Sequence, residues 1–158
     1  MKNIKVATSI FALLCILFLF TSLLALGDDT KRGGAIYRKD GSIIEAKRIY
    51  SFGLDYYTHS RSDKIRCIYE QHNIEIDIYD PNIGEIEFLD CSGPSGTATF
   101  ATLSILKKDS KKFVVEKAWI YGVIEYDFWD VVNEKVSRDK IDPREIAKIV
   151  FSESKKAK

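Results

Sequence analysis

Apolar and polar residues alternate along most of this chain, and the alternation has period two. Arg66 and Ile68 separate Ile65, Cys67 and Tyr69; Glu75 and Asp77 separate Ile74, Ile76 and Ile78; Glu87 separates Ile86 and Phe88. Successive side chains of a strand point to opposite faces, so β-branched residues at every second position predict half-buried strands. Leu103 and Ile105 continue the pattern, and Phe113 to Tyr126 reads as a longer run broken at Gly122. Both parities of that run are partly apolar, which predicts a strand covered on both faces. Helical signal after the N-terminal segment is confined to Asp142-Pro143-Arg144-Glu145, where proline and acidic residues suit the first turn.

Turn chemistry punctuates these runs. Lys39-Asp40-Gly41-Ser42 stands between Ala35-Ile36-Tyr37 and Ile43-Ile44, a short-range hairpin signal. The halves of the chain echo each other. Lys39-Asp40 and later Ile49-Tyr50 match Lys108-Asp109 and later Ile120-Tyr121. Asp80-Pro81, Ile83, Ile86 and Phe88 match Asp142-Pro143, Ile146, Ile149 and Phe151. Two matches in the same order predict an internal repeat. Asp80 and Asp142 hold equivalent places and are expected to cap the short turns that follow them.

Each unit then reads as strand, tight turn, long strand, hairpin, Asp-Pro turn and a final Ile-x-Phe strand. That layout resembles the small SH3-like or Sm-like barrels, in which a short helical turn precedes the last strand. The expected fold is mainly β. Two small antiparallel barrel-like units, 35–90 and 99–152, follow in tandem after an N-terminal hydrophobic helix. Residues 28–34 form a flexible lead-in, 91–98 a Gly/Ser/Pro-rich linker and 153–158 a basic tail. The alternative is a single β-sandwich or barrel built across both halves.

Residues 1–27 break the pattern. Lys2 and Lys5 precede an uncharged stretch from Val6 to Gly27, and Asp28-Asp29 close it. This is the layout of a secretory signal, with Ala25-Leu26-Gly27 offering a cleavage site before Asp28. The stretch is also long enough for an uncleaved anchor, which needs about 20 residues. Either reading exports the body of the protein to the periplasm, cell envelope or exterior. Residues 6–27 contact the membrane if uncleaved.

Composition adds exclusions. Of 158 residues, 46% are hydrophobic and 30% charged, a globular balance. Without Lys2 and Lys5 the formal charge falls from +1 to −1, so no basic field recruits nucleic acid. No P-loop, H-E-x-x-H or paired C-x-x-C occurs, and no cofactor or metal is predicted. Asp77–Asn82 lacks the spacing of a calcium loop. Cys67 and Cys91 remain after the leader, and an oxidising compartment predicts a disulfide between them or two separate thiols. His59 and His72 fall in turns. Glu85 with Glu87, and Glu125 with Asp127, read as solvated strand faces.

Aromatic residues give the binding expectation. Tyr126, Phe128 and Trp129 cluster in a loop-like stretch, with Trp129 the expected exposed anchor. The sequence therefore predicts an exported, non-enzymatic β-module that binds another protein or a copy of itself. The alternatives are an extracytoplasmic hydrolase using Asp/Glu or Cys67 with a histidine, and a glycan binder using Trp119 or Trp129.

Overall fold

The computed structural model describes residues 32–50, 53–54, 58, 61–93 and 99–152. Twelve strands and one 3₁₀ turn lie among them. The strands of the first half are β1 (Gly34–Arg38), β2 (Ile43–Ile49), β3 (Gly53–Leu54), β4 (Arg61–Ser62), β5 (Lys64–Tyr69), β6 (His72–Asp77) and β7 (Ile83–Ser92). Those of the second are β8 (Thr99–Lys107), β9 (Lys112–Ile120), β10 (Ile124–Asp130), β11 (Lys135–Ile141) and β12 (Ile146–Phe151); the 3₁₀ turn Pro143–Glu145 precedes β12. Gly122, at φ 49°, separates β9 from β10, where the sequence pattern breaks.

The protein is mainly β: ten strands form an antiparallel, curled half-barrel sheet, and β5 and β6 pair off its path. The pairing order is β11-β10-β2-β1-β12-β7-β8-β9. Beyond β9 lie β3, with Gly53 opposite Ile120, and β5, with Ile68 opposite Glu116. One apolar face closes the core. Ile36, Ile49, Ile65, Ile78, Ile86, Leu103, Ile105, Ile124 and Ile149 are fully buried, while the polar residues between them face outward.

The halves do not form separate barrels in tandem. β12 lies between β1 and β7, and β10 pairs with β2, so strands of both halves interleave. Period two tells each strand which face is apolar but not which strand it neighbours. Apart from β3 and β4, which have no counterpart among the described strands of the second half, the interleaved pairing maps onto itself when the halves are exchanged. At the central seam Ile86 faces Ile149, with Glu87 opposite Lys148 and Glu85 opposite Val150. On one side Ile149 faces Ile36; on the other Ile86 faces Ile105. A register shift follows at matching places, Tyr37/Arg38 and Ile83/Glu85.

The turns match as well. Arg38 N–H donates to Ser42 O at 2.8 Å, and Lys107 N–H to Lys111 O at 2.8 Å. Asp40 accepts from Ser42 N–H (2.9 Å) and Asp109 from Lys111 N–H (3.2 Å). Gly41 and Ser110 take the left-handed position at φ 88° and 67°. Asp80 accepts from Asn82 N–H, and Asp142 from Arg144 N–H, both at 2.9 Å. Each aspartate satisfies a backbone donor that the tight turn would leave orphaned.

Residues 32–34 of the expected flexible lead-in are held in the fold. Arg32 is 4% exposed, donating to the carbonyls of Asp80 and Ile83 (2.9 Å each) and Ser152 (3.3 Å). Gly34 opens β1 because β12 passes so close that a Cβ there would lie 2.2 Å from Val150 O. The readings that rest on residues 1–27, on most of the linker, on His59 and on the basic tail fall outside the described residues.

Candidate functional site

Trp129 lies on a strand, not in a loop. Residues Ile124 to Asp130 alternate well enough to form β10, which is held by β2 on one side and β11 on the other. Strand β11 has one neighbour, and its Lys135, Arg138, Asp139 and Lys140 are exposed. Charges along an unpaired edge oppose strand addition by another chain.

The β10–β11 tip is different. Asp130 accepts from Val132 N–H (3.0 Å), Asn133 N–H (3.1 Å) and the Asn133 side-chain amide (2.6 Å), with the Ser137 hydroxyl at 3.4 Å. These donors, the Asn133 side chain first, hold its carboxyl below the usual aspartate value. The turn is thus fixed while its apolar side chains point outward: Val131 is 78% and Val132 91% exposed. Trp129, 48% exposed, faces Val136 across the hairpin, and Val136 is also exposed. The Lys47 ammonium sits 4.4 Å from the Trp129 ring centroid.

Beside the tip runs an open groove of about 430 Å³, lined by Ile43, Ile44, Tyr126, Phe128, Trp129 and Val131 together with the acidic Glu45 and Asp139. The three aromatic residues predicted from sequence therefore meet at one groove, in unequal roles. Tyr126 is only 5% exposed and belongs to the core, where its hydroxyl lies 3.3 Å from Asp139. Burial, and then Asp139, push its phenol up. Phe128 packs against the core with its ring 6.0 Å from that of Tyr126. Trp129, Val131 and Ile43 supply the exposed apolar atoms.

A buried carboxylate anchors the base of the hairpin. Asp127 accepts from Tyr50 Oη at 2.5 Å and from Arg138 Nε at 3.0 Å; Arg138 also donates to Tyr50 Oη, with its guanidinium 4.1 Å from the Tyr50 ring centroid. Burial pushes the Asp127 carboxyl up, but the Tyr50 and Arg138 donors outweigh it and hold the carboxyl low.

The other sequence candidates are dispersed. Cys67 and Cys91 are free thiols, each beside its own carbonyl: Ile74 O at 3.9 Å and Pro143 O at 3.7 Å. Burial pushes the Cys67 thiol up to about 11, the opposite of an activated nucleophile. His72 opens β6 on the exposed face. Glu85 pairs with Lys148 at 3.0 Å and Glu87 with Lys112 at 3.2 Å. Trp119 stacks on Phe100 at 5.9 Å, away from Trp129 in the pairing order. Among the described residues no three His, Cys, Asp or Glu side chains converge as metal ligands would.

Val131, Val132 and Val136 were not legible as site residues. Their signal is a pair of β-branched residues inside an Asp–Asn turn, where no core can receive them. No protein-family model, curated protein or solved structure matches this chain.

Proposed function

We propose that this is an exported, non-enzymatic β-module that holds a protein partner at the β10–β11 tip and its groove. One observation carries the reading: Asp130 makes a rigid turn whose outward side chains are Val131 and Val132. A turn needs no exposed valines, and a pre-ordered apolar tip costs little further entropy to dock. Burying each valine against a partner is worth about 1.5–3 kcal/mol, enough to make the tip an affinity determinant.

The tip also lies far along the strands from Arg32. Arg32 lies level with Ile49, since Ile49 N–H donates to Arg32 O at 2.9 Å. Strand β10 runs from Tyr126 opposite Ile49 to Phe128 opposite Ala46 and on to the tip. The apolar tip is therefore at the opposite end of these strands from Arg32.

The SH3/Sm-like layout is proposed for composite halves rather than consecutive ones. Strands β1 and β2 with β10, β11 and β12 make one half; β8 and β9 with β5, β6 and β7 make the other. Duplication of one five-strand unit, followed by exchange of its last three strands, accounts for this pattern.

A photo-crosslinking residue at Val132, expressed in the native host, tests the binding reading. A discrete protein adduct is expected. Adducts with lipid or water alone would overturn it.

A further inference from the structure

A second groove occupies the equivalent place in the other half, and its chemistry is different. It has about 480 Å³ and is lined by Tyr69, Lys107, Lys111, Lys112 and Phe113. Exchange of the halves carries Ile43 and Ile44 onto Lys112 and Phe113, since Ile36 faces Ile44 as Ile105 faces Phe113. It carries Arg38 onto Lys107 and Ser42 onto Lys111. Where the first groove sets two carboxylates, Glu45 and Asp139, among its apolar residues, the second carries three ammonium groups beside two rings.

We propose that this groove binds a small organic anion, a carboxylate or phosphate carried on a flat apolar body. The rings supply the apolar floor. Tyr69 and Phe113 meet edge to face at 5.5 Å, and the Lys107 ammonium lies 5.7 Å from the Phe113 centroid. The volume falls within the roughly 300–1,000 Å³ of small-molecule sites, although the groove is open on one side.

The charge at Lys107 is the informative part. Its counterpart Arg38 is neutralised by Glu145 at 2.6 Å, next to the backbone bond from Lys39 N–H to Glu145 O. The equivalent backbone bond runs from Lys108 N–H to Asn82 O, so an amide side chain stands where the other half has a carboxylate. Asp109 is taken up by Lys111 at 3.0 Å, and Glu87 by Lys112 at 3.2 Å. Glu70 reaches the Tyr69 hydroxyl at the rim. Among the described residues no carboxylate forms an ion pair with Lys107, a half-buried cation that faces an aromatic wall and on which Asp109 acts only through space. An anion there gains its charge, and the rings discriminate an aromatic or apolar body from a bare inorganic ion.

Titration of the full chain with phenyl phosphate, followed by amide and ring chemical shifts, tests this. Saturable shifts are expected at Tyr69, Lys107 and Phe113, weakening with added salt. Lys107→Glu is expected to weaken binding about fivefold or more, and Lys107→Gln by less. Lys140→Glu, a charge reversal at an exposed lysine of β11 outside both grooves, leaves binding unchanged. Inorganic phosphate and phenol each bind more weakly than phenyl phosphate. Non-saturating shifts spread over all lysines, equal response to phenol or to inorganic phosphate, or unchanged affinity in Lys107→Glu would each overturn the proposal.

Discussion

Ile86 and Ile149 face each other across the central seam, and each is the second isoleucine of the Ile-x-x-Ile-x-Phe frame in its own half. Each is also flanked by an isoleucine of the next strand, Ile105 or Ile36. The seam is thus where the repeats meet as equivalents.

Truncating either seam residue should therefore cost the whole sheet. Ile86→Ala and Ile149→Ala are each expected to destabilise by about 2–5 kcal/mol, the range for a buried isoleucine. Because they share one cavity, the double variant should lose less than the sum. Urea unfolding of the three variants checks both points. A variant that unfolds one half while sparing the other would contradict the interleaved pairing.

Arg32 should matter more than its place in the expected flexible lead-in implies. Its guanidinium serves three backbone carbonyls and lies 4.7 Å from the Phe151 ring centroid. Arg32→Ala should destabilise by about 1–3 kcal/mol through carbonyls left unpaired. Arg32→Lys should recover little, since an ammonium on a flexible stem cannot reproduce the planar fork. The urea midpoints of the two variants measure this.

Much of the strand content was legible from alternation. Ile65/Cys67 and Ile76/Ile78 bury the faces that period two assigns, with Ile74 partly buried beside them, and Asp80 and Asp142 cap their turns. The order of strands was not legible, because the alternation in β12 is satisfied equally beside β1, β7 or any other apolar neighbour. Gly33-Gly34 read as flexibility and is instead close approach: added Cβ atoms would meet Lys47 O at 2.5 Å and Val150 O at 2.2 Å. Tyr126, Phe128 and Trp129 were legible as a cluster, but not the inward turn of Tyr126 or the outward valines beyond Asp130.

The tip should loosen in acid. The Asp130 carboxyl is held below its unfolded value, so its support of the turn is complete above about pH 3.9 and is lost as pH falls through the lower folded value. Hydrogen exchange at Val132 and Asn133 should accelerate across that window while the core amides of β1 and β12 stay protected. Asp130→Ala should show the same loosening at neutral pH with little change in melting temperature. Unchanged exchange at Val132 in that variant would show that Asp130 does not fix the turn.

Both thiols should be free and slow. Cys67 is buried with its thiol raised to about 11, and burial also raises Cys91. Maleimide should label neither quickly in the native protein at pH 7, and both after denaturation without reductant. Absence of label after denaturation, restored by reductant, would reveal a disulfide instead.

The central claim is that the exposed apolar tip is a partner site, and its most direct measurement compares two hairpins in one chain. A photo-crosslinker at Val132 should yield a discrete protein adduct in the native compartment. The same group at Asn73, exposed on the β5–β6 hairpin, should not. Trp129→Ala should reduce the Val132 adduct, by about tenfold if it removes 1.4 kcal/mol of binding. Equal adducts from both positions, or a Val132 adduct indifferent to Trp129, would contradict the account.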